Sequence, residues 1–286
     1  MTISKLREKY HTRICNEIIR ISKKNKVEYP NFADGDNKSS MEIAWGIVKR
    51  LQCSRNRTKQ HGQTTGDLFE ALTRDFLQES FSLLGHLRPG KWIYSVKSTI
   101  SAFYQYEHLA YLESVLSKDK TLSSALGGDY IIKPDIVVGR LPVSDAEINK
   151  KESIITSKDI AAKLTPLREK NHSDRIVEVL HASISCKWTI RSDRAQNTRT
   201  EALNLIRNRK GHLPHVSAVT AEPLPTRLAA LAIGTGDLDC VYHLALPELR
   251  ESIEDSGNQD QLDMLLMMIE GRRLRDISDL PFDLAL

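Results

Sequence analysis

The chain is poor in the features that would place it outside the cell or in a membrane. It has four cysteines in 286 residues, Cys15, Cys53, Cys186 and Cys240, and none pair in a CxxC spacing. A zinc site or disulfide framework is therefore not expected, and buried free thiols are. Long apolar runs are missing too. The longest, near Leu228 to Ile233, is far too short to span a bilayer. Met1 to Tyr10 carry Lys5, Arg7, Glu8 and Lys9 with no apolar stretch, so no signal peptide and a cytoplasmic location are expected. No internal repeat or low-complexity tract stands out. What remains is an ordinary globular composition, 40% hydrophobic and 27% charged, with enough length for a sizeable core.

Net charge is only +4, but it is unevenly spread. Lys49 to Gln63 holds five basic residues and no acid, and Lys187 to Lys210 holds seven basic and two acidic residues. Pro247 to Leu286 holds ten acids against four arginines. Two basic surfaces facing a polyanion would produce this asymmetry, although solvated charge runs are its ordinary source.

Hydrophobic spacing predicts helices over Ile3 to Ser22, Met41 to Leu51, from Thr64 onward and over Ile100 to Leu116. Asn31 to Ser40 reads as a polar loop, and Thr64 to Asp67 as a capping box. The second half changes character. Short β-type runs at Tyr130 to Ile132 and Asp135 to Val138 flank Lys133-Pro134, and Lys150 to Asp174 reads as charged helix plus loop. Ile176 to Ile190 is the best strand. A helix over Arg194 to Arg209 ends at Gly211 and Pro214. Strands at His215 to Thr220 and Asp239 to Leu246 follow, with terminal helices at Glu248 to Asp255 and Gln261 to Glu270. This alternation predicts a single α/β domain over residues 1–286, a central mixed sheet flanked by helices. Residues 1–120 are expected to be mainly helical, and 121–286 to carry the catalytic sheet and C-terminal helices.

The chemistry gathers at three places. Asp135 follows Pro134 at the head of a strand. Along the best strand, alternation puts Val179, His181, Ser183, Ser185 and Lys187 on one face, and Leu180, Ala182, Ile184, Cys186 and Trp188 on the other. A lysine at the end of a buried strand is costly without an anionic partner. Glu201 lies about two turns into the next helix, which can fold back over the strand end. Glu70, early in the Thr64 helix, is a further acid; its ordinary reading is a surface residue paired with Arg74 at i+4. Asp135 and Glu201 could hold Mg²⁺, a hard cation that prefers carboxylates and water. Lys187 could then orient or deprotonate a water beside a phosphodiester.

At these residues the chain resembles, along its whole length, the PD-(D/E)xK restriction endonucleases. Ser185 stands where the middle acid of (D/E)xK is expected, with Glu201 in place to supply the missing carboxylate. That variant marks the tetrameric, two-site branch of the type II enzymes. The resemblance implies a restriction-endonuclease-like core with Asp135, Lys187, Glu201, Glu70 and Ser185 in the catalytic site. It further implies Mg²⁺ on Asp135 and Glu201 with the Cys186 main-chain carbonyl as an additional oxygen. The implied partner is double-stranded DNA, a palindrome with a CCGG core such as GCCGGC cut to leave 5′ overhangs, and the implied assembly is a homotetramer binding two sites. Arg191, Asp193 and Arg194 suit a G·C-only core, because arginine can bond guanine O6 and N7 together and aspartate can accept from cytosine N4. Their ordinary reading is a helix N-terminus with exposed arginines. Gln63, Arg227 and Asp34 are further candidate DNA contacts. Two other readings fit the same residues: a repair or structure-specific nuclease, and a DNA-binding protein without catalysis.

Overall fold

The computed structural model describes residues 1–286 except 59, 127–131, 157, 159, 173–174 and 235; the side chains of 123, 125, 126 and 192–194 also lie outside the described residues. The chain runs α1 (Ile3–Arg13), β1 (Ile21–Lys24), β2 (Val27–Pro30), α2 (Lys38–Arg50), α3 (Gly62–Ser82), β3 (Trp92–Val96), α4 (Leu109–Leu116) and α5 (Lys120–Leu126). It continues with β4 (Ile136–Arg140), α6 (Asp145–Ile148), β5 (Val179–Lys187), α7 (Ser192–Asn208), β6 (His215–Thr220), α8 (Pro225–Ala232) and β7 (Cys240–His243). The last elements are α9 (Leu246–Ser256), α10 (Gln259–Glu270), β8 (Leu274–Asp276) and α11 (Leu280–Asp283).

Strands β3 to β8 form one six-stranded sheet in sequence order. The pairs β3–β4 and β4–β5 are antiparallel, and β5 through β8 are parallel, so the sheet is mixed as expected. Parallel neighbours need crossovers: α7 links β5 to β6, α8 links β6 to β7, and α9 with α10 links β7 to β8. The strand content explains the pairing. Ile136, Val137 and Val138 are β-branched and buried, and β5 is buried from Leu180 to Cys186. One hydrophobic core runs from Leu6 in α1 to Leu284 after α11.

Several expected elements differ. The first helix stops at Arg13, passes through a π turn (Ile14–Ile18) and gives way to strand β1. Asn31 enforces the break, since its side chain binds the Ile18 carbonyl and accepts from the Arg20 N–H. Helix α3 begins at Gly62, so the Thr64 capping box does not form; the Thr65 hydroxyl donates to the His61 carbonyl instead. Over residues 100 to 106 the chain makes two 3₁₀ turns before α4, because Gln105 turns inward and bonds both backbone groups of Leu180. The described residues between 150 and 168 are largely irregular, with a 3₁₀ turn at Glu169–Asn171. Tyr130 lies outside the described residues, and Asp174 does too. Strands β3 and β8, hairpin β1–β2 and helix α8 were not expected.

The cysteine expectation is corrected as well. Cys15 and Cys53 form a disulfide, their Cα atoms 5.0 Å apart, while Cys186 and Cys240 are free and buried. The two partners are 38 residues apart in sequence, and only the π turn and the end of α2 bring them together.

Candidate active site

Antiparallel pairing sets Ile136 of β4 opposite Ile184 of β5, which brings Asp135 level with Ser185. The carboxylate turns into that neighbouring strand. Asp135 Oδ2 accepts from the Ser185 hydroxyl (3.3 Å), the Cys186 backbone N–H (2.7 Å) and the Lys187 ammonium (2.9 Å). Lys187 and Asp135 side chains are 20% and 21% exposed, so this pair is largely shielded but reachable from solvent. Burial works against the Lys187 charge, but Asp135, with help from Glu201, outweighs it and raises the lysine above its ordinary value.

Glu201 lies where the sequence placed it. It shares a small cavity with Pro134, Ser183, Ser185 and Thr198, and it senses the charges of both Lys187 and Asp135. Desolvation raises its pKa, Lys187 opposes that rise and Asp135 adds to it. Helix α7 can deliver it because the crossover from β5 folds back over the face that carries Ser183 and Ser185.

Glu70 is not paired with Arg74, which bonds Asp75 instead. Its position among Phe69, Leu72 and Thr73 on the buried stripe of α3 turns it inward. Oε2 is buried without a hydrogen-bond partner, and Lys97 Nζ stands 4.0 Å away. Burial first, then the Asp135 charge, push Glu70 up to about 7. Lys97 went unnoticed in the sequence. Its ammonium pairs with Asp67, its N–H donates to the Asp135 carbonyl, and it holds a left-handed backbone (φ 55°). Gln63, exposed in the first turn of α3, donates to Asp67 at 3.1 Å and so belongs to this flank.

Cys186 and Trp188 face the other way. Burial keeps the Cys186 thiol protonated, and Trp188 packs edge-on against Phe69 of α3 and Phe32. Strand alternation fails in one place. Ala182 pairs with Val138 but Leu180 with Gly139, leaving His181 as a bulge residue. His181 therefore lies with Trp92 and with Phe81 of α3 rather than beside Ser183. Gly139 is required at the bulge, since a Cβ there would come within 2.8 Å of Ile93.

The donor set suits a hard cation: carboxylates and a main-chain oxygen, without sulfur or imidazole. Glu70 and Glu201 are each made less acidic by burial and by Asp135, a repulsion that a divalent ion would relieve. Among the described residues no three Asp, Glu, His or Cys side chains converge as ligands for one ion. Water and phosphate oxygens would complete the shell, as Mg²⁺ favours.

Beyond Lys187 the chain enters a cleft of roughly 720 Å³ lined by Thr189, Ile190, Arg191, Arg227, Asp34 and the β1–β2 hairpin. Asp34 and Arg227 form an ion pair across it. The packing of Phe32 on Trp188 docks the Asp34 loop beside the end of β5. Thus Arg191, Arg227 and Asp34 converge on one surface, whereas Gln63 sits nearer Glu70. Asp193 and Arg194 open helix α7, and their side chains lie outside the described residues. Of the first basic run, Arg50 is taken by Glu251 and Asp255, and Arg57 by Glu28.

A family model described as NgoMIV restriction enzyme matches residues 10–286. The type II restriction enzyme NgoMIV of Neisseria gonorrhoeae is 48% identical over 260 residues, covering 88% of each chain. The chain belongs to the NgoMIV family of type II restriction enzymes. Among solved structures, the type IIF endonuclease Bse634I with cognate DNA is 12% identical with a TM-score of 0.33, over 86% of this chain and 98% of that one. The PspGI–substrate DNA complex is 14% identical with a TM-score of 0.30, over 99% and 92%. Within the NgoMIV-family chain, sequence reasoning found the acids and the lysine but missed Lys97 and the hairpin that walls the cleft. An exposed lysine in a loop gives no periodic signal that would single it out. No helix among the described residues is long and apolar enough to cross a membrane.

Proposed function

We propose that the chain is a Mg²⁺-dependent endonuclease that cuts double-stranded DNA at a G·C-only palindrome, GCCGGC, and leaves 5′ overhangs. The observation that carries this reading is the convergence of Ser185, the Cys186 N–H and Lys187 on Asp135, with Glu201 and Glu70 on either side. Asp135 and Glu201, with the Cys186 carbonyl, would hold the metal; Glu70 lies close enough to sense Asp135 and would support the same charge. Bound there, Mg²⁺ would neutralise the phosphate, stabilise the leaving oxygen and acidify a water. Lys187 orients or deprotonates the attacking water and stabilises the charge that builds on the phosphate oxygens. Ser185 steadies the Asp135 carboxylate.

Arg191, Asp193, Arg194, Asp34 and Arg227 read base edges, each good bidentate contact contributing roughly 1–3 kcal/mol of discrimination. Gln63 approaches the duplex from the Glu70 flank. The enzyme acts in the cytoplasm as a homotetramer, two back-to-back dimers engaging two DNA sites.

Digestion of a sequenced plasmid with Mg²⁺, followed by mapping of the ends, tests this reading. Discrete GCCGGC cuts support it. Preference for branched or damaged DNA selects a repair nuclease, and intact DNA at every divalent metal concentration selects a non-catalytic binder.

A further inference from the structure

Glu222 is fully buried, two residues beyond the end of β6, and is not among the groups that face the phosphodiester site. A buried carboxylate is costly unless its oxygens are satisfied. Here each oxygen takes a backbone donor from a different segment. Oε2 accepts from the Ile190 N–H at 2.9 Å, and Oε1 accepts from the Leu224 N–H at 3.2 Å. The Glu222 backbone is itself tied to the sheet, because its N–H donates to the Thr220 hydroxyl at 3.1 Å.

The two donors are placed unusually. Ile190 immediately precedes Arg191, and Leu224 is the residue before α8, the helix that carries Arg227. Arg191 and Arg227 line the same cleft, and Glu222 senses the charges of both Arg227 and Asp34. One carboxylate thus joins the backbones that present two separate arginines. Burial pushes the Glu222 carboxyl up to about 7, but its geometry is fixed either way: apolar packing alone would not set that spacing, whereas two backbone hydrogen bonds to one planar group do.

We propose that Glu222 is a positioning residue that locks Arg191 and Arg227 into a single reading surface, so that discrimination at the base pairs facing each depends on it. This rests on the reading of the cleft as the DNA-facing surface. Glu222→Gln keeps shape and burial but turns an amide NH₂ toward one of the two N–H groups, so one bond is lost.

The test measures cleavage of the cognate duplex and of duplexes with one base pair changed at each position, by wild type and Glu222→Gln, with a thermal melt of each protein. Discrimination should fall about tenfold at the base pairs facing Arg191, facing Arg227 or facing both, as loss of one such bond predicts. A lower melting temperature with unchanged discrimination overturns the inference. If the variant does not fold, hydrogen exchange at the Ile190 and Leu224 amides of the wild-type protein decides. Both amides slowing together on adding duplex supports the lock, and either slowing alone overturns it. Wild type that cuts no duplex refutes the endonuclease reading itself, a result distinct from wild type and variant that cut with equal discrimination.

Discussion

Lys187 and Asp135 lie 2.9 Å apart on two antiparallel strands, and neither could reach the other without the register that sets Ile136 against Ile184. The pair is shared with the Cys186 N–H, so Asp135 is held from the backbone as well as by charge.

Removing either member should stop cleavage without abolishing binding. Asp135→Ala and Lys187→Ala are each expected to lower kcat by about 10²–10³ or more, in line with the loss of a preorganised electrostatic group. Gel-shift affinity without divalent metal should stay within about tenfold of wild type. Full activity of Asp135→Ala would assign the acids to structure alone.

Lys97 offers a separation of strain from function. It occupies a left-handed backbone while its ammonium serves Asp67 and approaches Glu70. Lys97→Gly removes the side chain and relieves the backbone. The melting temperature should hold or rise by roughly 2 °C, while kcat drops about tenfold, as for the loss of a single charged contact. A fall in melting temperature with normal kcat would show Lys97 to be a structural residue only.

The Asp34–Arg227 ion pair spans the cleft and must open if both groups bond bases. Arg227→Ala should weaken cognate binding roughly tenfold to a hundredfold and relax the sequence preference at one base pair. Equal weakening on every sequence, with a shallower salt dependence, would reassign Arg227 to a phosphate contact.

Two buried histidines weaken the fold toward acid. Burial lowers both His181 and His243 to about 4, with His215 adding to the drop for His181 and Asp276 opposing it for His243. Both are neutral in the folded protein, whereas in the unfolded chain they take up protons below about pH 6.5. Their contribution is therefore complete above about 6.5 and is lost as pH falls toward 4, on the order of 3 kcal/mol each. Glu70 and Glu222, which burial raises to about 7, gain stability over the same fall in pH and oppose the loss, so the histidine share is read as a difference: in urea melts from pH 7 to 4, His243→Asn should lose less stability than wild type.

A tetramer with two DNA sites has a kinetic signature. Plasmids carrying two targets should be cut faster than those with one, and a short cognate duplex added in trans should rescue the one-site plasmid. Equal rates with no response to added duplex would indicate an independent dimer.

The sequence was most legible where side chains alternate without interruption. The stretch of β5 from Ala182 to Lys187, the helix after it and the placement of Glu201 could all be read from residue order. Reading failed where one residue breaks a pattern. The His181 bulge changes the facing of the first three residues of the strand, and no local signal in Val179-Leu180-His181 marks it. Strand β3 is half-buried on both faces, so Trp92 to Val96 show no polar alternation. Helix α8 was not expected, and Pro225 occupies its first turn, where a missing N–H costs nothing. The Cys15–Cys53 bridge depends on a tertiary meeting that spacing cannot show.

Four peptide units separate Lys187 at the end of β5 from Arg191 at the start of α7. An extended segment of that length reaches at most roughly 14 Å. Under the proposed function, the segment is therefore a covalent ruler between the phosphate to be cut and the base to be read. Trp188 pins one end of the ruler against Phe69 and Phe32, and the Ile190 N–H anchors the other on Glu222. An inserted residue between them would leave the cutting and reading groups intact but out of phase. Under the proposed function, the spacing between cutting and reading is in this sense written as a count of residues.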